Sequence, residues 1–234
     1  MLPVAILAGG MAKRLMPITE TIPKALVQIA DKPFIEHQLM LIKDQGITDV
    51  VICTGHLGEQ IRKKIGSGKR FGLHIDYSED GKNLRGTGGA IKNALKLLGD
   101  HFFVLYGDSY LPINFQDVQS SYIQCSKSAL MTILKNENRW DKSNVRFERG
   151  KILEYNKHKP NPKMLHIDYG LGILSSADLL GYPTDKSFDL AEVYHSLSLR
   201  NDLAGYETQN RFYEIGSHTG LYETEKYLLR KDEL

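Results

Sequence analysis

The 234-residue sequence has only two cysteines, Cys53 and Cys125. Neither has a partner at metal-ligand spacing, which excludes a zinc site and a disulfide framework. Cys53 ends the apolar run Val50-Val51-Ile52-Cys53 and reads as a small core residue, so a reducing, cytoplasmic setting fits. Excess charge of one sign is also missing. Thirty basic residues against 28 acidic ones leave a net charge of +2, too little for an electrostatic nucleic-acid binder. No apolar run approaches the roughly 20 residues that a membrane span needs. The first residues lack a basic leader and run into Gly9-Gly10, so they read as a strand and not as a signal peptide. Lys231-Asp232-Glu233-Leu234 spells an ER-retention signal, which has meaning only behind a signal peptide, and is read as coincidence. There is no Ser/Gly-rich linker and no internal repeat. The expectation is one domain over 1–234, with no appended β-helix domain. A homo-oligomer is compatible with this reading, though nothing in the sequence specifies one.

What the sequence does contain is short apolar runs alternating with helical patterns. Residues 3–7, 49–54, 73–77 and 102–106 are continuous runs rich in β-branched, aromatic or Leu residues, as buried parallel strands require. Pro33 opens a helix over 34–45, with Ile35, Leu39 and Ile42 on one face and Gly46 as its stop. Ile91, Ala94, Leu95 and Leu98 mark a second helix, closed by Gly99. This order predicts an α/β fold, a mostly parallel mixed sheet flanked by helices. In the second half, strands are expected over 128–134 and 166–174, a hairpin around Gly150, and helices over 188–199 and 219–229.

Open α/β sheets bind ligands at the carboxyl ends of their strands, and there Gly9-Gly10, Gly55-His56, Glu79-Asp80 and Gly107-Asp108 gather. The first of these loops, Leu7-Ala8-Gly9-Gly10-Met11-Ala12-Lys13-Arg14-Leu15, pairs free backbone N–H groups with two cations, and Lys24 follows Pro23. Such a segment suits a polyphosphate. It is not a dinucleotide fingerprint: counted from Gly9 the glycine positions hold Met11 and Arg14, and counted from Gly10 they hold Ala12 and Leu15. The nearest P-loop string, Gly68-Lys69-Arg70, lacks both the leading glycine and the Ser/Thr.

The pattern Leu7-Ala8-Gly9-Gly10-x-Ala12-x-Arg14-Leu15-x-Pro17-x-Thr19, followed by Pro23-Lys24-Ala25-Leu26, resembles the signature of the sugar-1-phosphate nucleotidyltransferases. The resemblance covers nearly the whole chain and is strongest over 4–110. It implies a Rossmann-like fold, a half of about 1–110 for a nucleoside triphosphate and a half of about 111–234 for a sugar 1-phosphate, with Mg²⁺ as cofactor. Residues Leu7 to Gly10, with Met11, Ala12 and Lys13, would line the nucleotide. Arg14 would hold the outer phosphates, and Lys24 would neutralise the phosphate at the reacting centre. Gly86, Thr87 and Gly88 resemble the family's segment against the nucleobase, with Glu79 close before it. Asp108, in Tyr106-Gly107-Asp108-Ser109, stands where the family's Gly-Asp binds the metal. In the second half, Lys157 would contact the sugar phosphate, although Asn156 replaces the usual acid beside it. Asp168, Tyr169 and Gly170 resemble the strand along the sugar. Glu214 replaces the Asp of the family's second metal segment. Within the family the chain is similar to a heptose- or mannose-1-phosphate guanylyltransferase-like branch. A choline-phosphate cytidylyltransferase of the same fold, whose cage Trp140, Tyr155 and Tyr169 would supply, and a non-catalytic sensing subunit are the alternatives.

Overall fold

The computed structural model describes residues 1–184 and 186–232. Its core is a mixed sheet of nine strands among the described residues. These are β1 (Val4–Leu7), β2 (Asp49–Thr54), β3 (His74–Glu79), β4 (His101–Tyr106), β5 (Ala129–Lys135), β6 (Val145–Glu148), β7 (Lys151–Tyr155), β8 (His166–Ser175) and β9 (Leu203–Thr208). The strand order runs β7-β6-β8-β4-β1-β2-β3, and β5 pairs with both β8 and β9. Strands β4, β1, β2 and β3 are parallel, as the alternating pattern predicts. β8 turns antiparallel to β4 and carries the sheet into the second half.

Among the described residues six helices flank the sheet: α1 (Phe34–Asp44), α2 (Gly58–Ile65), α3 (Gly86–Leu98), α4 (Phe115–Gln124), α5 (Leu190–Leu199) and α6 (His218–Asp232). α1 buries Ile35, Leu39 and Ile42 in one apolar cluster, with Val4, Ile6, Phe103 and Leu105 of the sheet. α3 and α5 bury Ile91, Ala94, Leu98, Val193 and Leu197 in a second cluster that includes Ala5, Val51 and Val104. Neighbouring residues of β1 and β4 thus divide between two clusters, as the period-two alternation of strand side chains requires. The expected hairpin forms: Arg149 and Gly150, both at positive φ, join β6 to β7 in a two-residue turn. None of the helices described is long and apolar enough to cross a membrane. The Lys231-to-Leu234 tail runs out of the described residues, so its reading is not addressed by the structure.

The parallel strands end on one edge. Gly9 at the end of β1 packs against Gly55 at the end of β2, and Gly107 after β4 lies against the carbonyl of Leu7. Among the described residues two short ribbons stand apart from this sheet. One of them pairs Tyr213–Glu214 with Ser109–Tyr110, placing Glu214 opposite Ser109.

Candidate functional site

Asp108 lies at the seam of two adjoining cavities. The smaller, about 230 Å³, is lined by Leu7, Ala8, Gly9, Gly10, Ala12, Lys24, Asp80, Gly86 and Thr87 among others, and the larger, about 560 Å³, by Arg14, Lys157, Asp168, Tyr169, Gly170 and Glu214 among others. Tyr106 and Asp108 line both. The loop carrying Asp108 is held from below. The side-chain amide of Gln38, fully buried in α1, donates to the carbonyls of Tyr106 (2.9 Å) and Ser109 (2.8 Å), bracketing Gly107 and Asp108.

Lys24 donates to Asp108 Oδ2 at 2.8 Å, with both side chains only partly exposed. Among the described residues Asp108 Oδ1 meets the Ser109 hydroxyl, at 3.3 Å. The Ile215 N–H donates to the Asp108 carbonyl at 2.9 Å and ties the Glu214 segment to the same loop. Gly216 marks where the charged groups converge. A Cβ there would lie 2.8 Å from Glu214 Oε2, 3.1 Å from Arg14 Nη2 and 3.5 Å from Lys24 Nζ. The missing side chain keeps that point open. The Glu214 carboxylate is itself turned onto the start of α6, accepting from the Gly216 N–H and the Ser217 hydroxyl.

Other residues singled out in the sequence fall in different places. Ala12, where the family often has glycine, sits at φ 47°, a left-handed conformation in which glycine meets no Cβ penalty. Met11 and Gly88 line neither cavity, and the side chain of Lys13 lies outside the described residues. Gly88 is required by a different contact. Its Cα abuts the Phe188 ring, and the N–H groups of Gly88 and Gly89 donate to the Phe188 carbonyl. Glu79 is not brought to a cavity. It pairs with Arg62 at 2.7 Å, and its neighbour Asp80 lines the smaller cavity instead. Asp80 accepts from the Arg85 N–H at 3.1 Å through Oδ2, while its buried Oδ1 has no hydrogen-bond partner. Burial raises its carboxyl above the ordinary range, against the Arg85 N–H and the Arg85 charge.

In the larger cavity Asp168 accepts from the Gly170 N–H at 3.0 Å. Burial pushes its carboxyl up to about 6, against the pull of that N–H and of Lys157. Gly170, at φ +103°, lets β8 pass Ser109, where a Cβ would come within 3.3 Å of the hydroxyl. Lys157 pairs with Asp189 at 3.2 Å. Trp140 and Phe212 also line this cavity, together with Asn144 and Arg211, which belong to no motif of the sequence. The Arg211 guanidinium lies over Trp140 (5.2 Å) and Tyr213 (5.1 Å) and pairs with Glu223. Among the described residues no three His, Cys, Asp or Glu side chains form a metal-ligand cluster.

Known proteins match this arrangement. A family model, "Nucleotidyl transferase", matches residues 4–144. The chain is 40% identical over 111 residues to the N-acetylmuramate alpha-1-phosphate uridylyltransferase of Neisseria meningitidis serogroup B, covering 47% of this chain and 48% of the relative. It is 36% identical over 137 residues to the D-glycero-alpha-D-manno-heptose 1-phosphate guanylyltransferase of Campylobacter jejuni, covering 58% and 59%. The match thus spans about half the length of these curated relatives. Crystalline HddC from Yersinia pseudotuberculosis superposes with a TM-score of 0.81 at 23% identity, over 97% of this chain and 100% of that one, a likeness of fold. The family model covers more than half of the sequence, and the chain belongs to the nucleotidyl transferase family.

Proposed function

We propose that the chain transfers a nucleotidyl group from a nucleoside triphosphate to a sugar 1-phosphate, releasing pyrophosphate. The observation that carries this is the Lys24–Asp108 pair at the seam of the two cavities. A reaction joining two phosphates needs two substrates that meet at one point, with charge neutralised there. The smaller cavity takes the nucleotide along Leu7 to Gly10 and Thr87. The larger cavity takes the sugar phosphate, with Lys157 and Arg14 for the phosphate and Asp168 for a hydroxyl. On this reading one domain divides into a nucleotide half, about 1–110, and a sugar-phosphate half, about 111–234. Its two cysteines are free, as suits the reducing cytoplasm.

The acceptor phosphate is already ionised, so the attack needs no side-chain base. Its oxygen approaches the α-phosphorus in line while Arg14 and Lys24 draw negative charge toward the leaving pyrophosphate. The donors fit Mg²⁺, a hard cation that takes one or two carboxylates and completes its shell with phosphate oxygens and water. Asp108 would hold it through Oδ1, the oxygen that Lys24 leaves open, and Glu214 would join by sharing an oxygen now turned onto α6. Bound there, the ion would supply charge neutralisation on the reacting phosphoryl oxygens.

Trp140, Tyr155 and Tyr169 do line one cavity, as a choline-phosphate reading asks. Yet the faces of Trp140 and Tyr213 already hold the Arg211 guanidinium, which favours a sugar over a quaternary ammonium. The retained convergence of Arg14, Lys24 and Asp108 speaks against a non-catalytic sensor. The test is a panel of four nucleoside triphosphates against sugar 1-phosphates and phosphocholine, with Mg²⁺, read by pyrophosphate release. Release with a sugar 1-phosphate supports the proposal. Release with phosphocholine alone, or with no pair, overturns it.

A further inference from the structure

We infer that Asp189 is a positioning residue that ties the two substrate cavities together, setting Lys157 through one carboxylate oxygen and Thr87 through the other. Asp189 belongs to no motif in the sequence and lines neither cavity. Its Oδ1 accepts from the Thr87 hydroxyl at 2.7 Å, and Thr87 lines the smaller cavity. Its Oδ2 accepts from Lys157 Nζ at 3.2 Å, and Lys157 lines the larger one. The Thr87 oxygen in turn accepts from the Leu190 N–H at 2.8 Å, which fixes the hydroxyl's direction.

Asp189 is also the N-cap of α5, accepting from the Ala191 N–H at 3.0 Å. The cap bond from the Ala191 N–H falls on Oδ1 and does not account for Lys157 on Oδ2. The cap is anchored where the nucleotide loop begins, because the Phe188 carbonyl takes the N–H groups of Gly88 and Gly89. The loop before α5 is therefore docked against the nucleotide segment, and the charge it carries points Lys157 across to the sugar-phosphate side. A lysine is a flexible point charge, so a fixed counter-ion decides where its ammonium spends its time. Although burial pushes the Asp189 carboxyl up, the Ala191 N–H, the Thr87 hydroxyl and Lys157 outweigh it and hold it below its ordinary value, so the charge is present at neutral pH.

This inference rests on the reaction proposed above, and Asp189→Asn tests it. Asparagine caps helices as well as aspartate does and keeps the acceptor for Thr87, so folding and melting temperature should hold. Only the charge facing Lys157 is lost. The expected result is a KM for the sugar 1-phosphate raised about tenfold, with kcat and the KM for the nucleotide within about threefold of the wild type. Asp189→Asn added to Lys157→Gln should cause no further rise, because the aspartate acts through that lysine. A residue that only caps α5 would leave KM unchanged in the single variant or give additive effects in the double. Either outcome, with the wild type turning over, overturns the bridge alone. A wild-type chain without turnover overturns the reaction, and the bridge with it.

Discussion

At the scale of single residues, the site depends on a few charges held at fixed places. Asp108→Asn keeps the shape of the seam but removes the charge that pairs with Lys24. Turnover should fall about 100- to 1,000-fold, roughly 3–4 kcal/mol, with the melting temperature nearly unchanged. Near-normal turnover in that variant would remove Asp108 from the chemistry. Asp168 gives a pH prediction. Its carboxyl is raised from 3.8 to about 6 in the folded chain, chiefly by burial. Between these values the folded chain keeps a proton that the unfolded chain has lost. The stability linked to this group is therefore present below about pH 4 and lost as pH rises through about 6. Asp168→Asn, neutral throughout, should melt close to the wild type near pH 4.5 and above it near pH 7.5, as scanning calorimetry would show. A melting difference that does not grow with pH would mean that its surroundings do not raise the Asp168 carboxyl. Gly9, Arg14 and Lys24 are legible in the sequence because the fixed spacing of the long loop pattern reports them together, and Asp108 because it follows a glycine at the end of an apolar strand. Asp189 and Arg211 are not, because a fold must bring them from far along the chain: Asp189 meets Thr87 across 102 positions.

At the scale of elements, the glycines of Gly86-Thr87-Gly88-Gly89 answer to packing as much as to ligand. Gly88 lies under the Phe188 ring, and a Cβ there would collide with ring carbons. Gly88→Ala should cost about 1–3 kcal/mol in urea unfolding, as overpacking does. An unaffected midpoint would show that Phe188 can move aside. The parallel strands and helices α1 and α3 follow from runs and periodicities long enough to read. α2 is opaque because it buries only Ile61 and Ile65 and starts at Gly58 after Leu57 in the left-handed region, with no capping side chain. α4 carries a weak signal, an Asn114 cap before Phe115, Val118 and Tyr122 in an otherwise polar stretch. β9 buries only Leu203 and Thr208, so its alternation is faint, and it is recognisable only by its pairing with β5.

At the scale of the whole molecule, one sheet carries two cavities whose shared wall, at Tyr106 and Asp108, is the proposed reacting point. The parallel half presents strand ends and glycines, and the antiparallel β8 turns the sheet so that Asp168 and Gly170 face the same seam from the other side. That division was legible for the first half, where the phosphate loop is continuous, and faint for the second, whose cavity wall is assembled from separate loops around Trp140, Lys157 and Arg211. The most direct test of joining across this seam is ³¹P NMR of the chain with Mg²⁺, a nucleoside triphosphate and a sugar 1-phosphate. The account predicts a new diphosphate ester and free pyrophosphate in equal amounts, only when both substrates are present and not with Asp108→Asn. An unchanged spectrum with every pair, or pyrophosphate released from the triphosphate without the sugar phosphate, would contradict it.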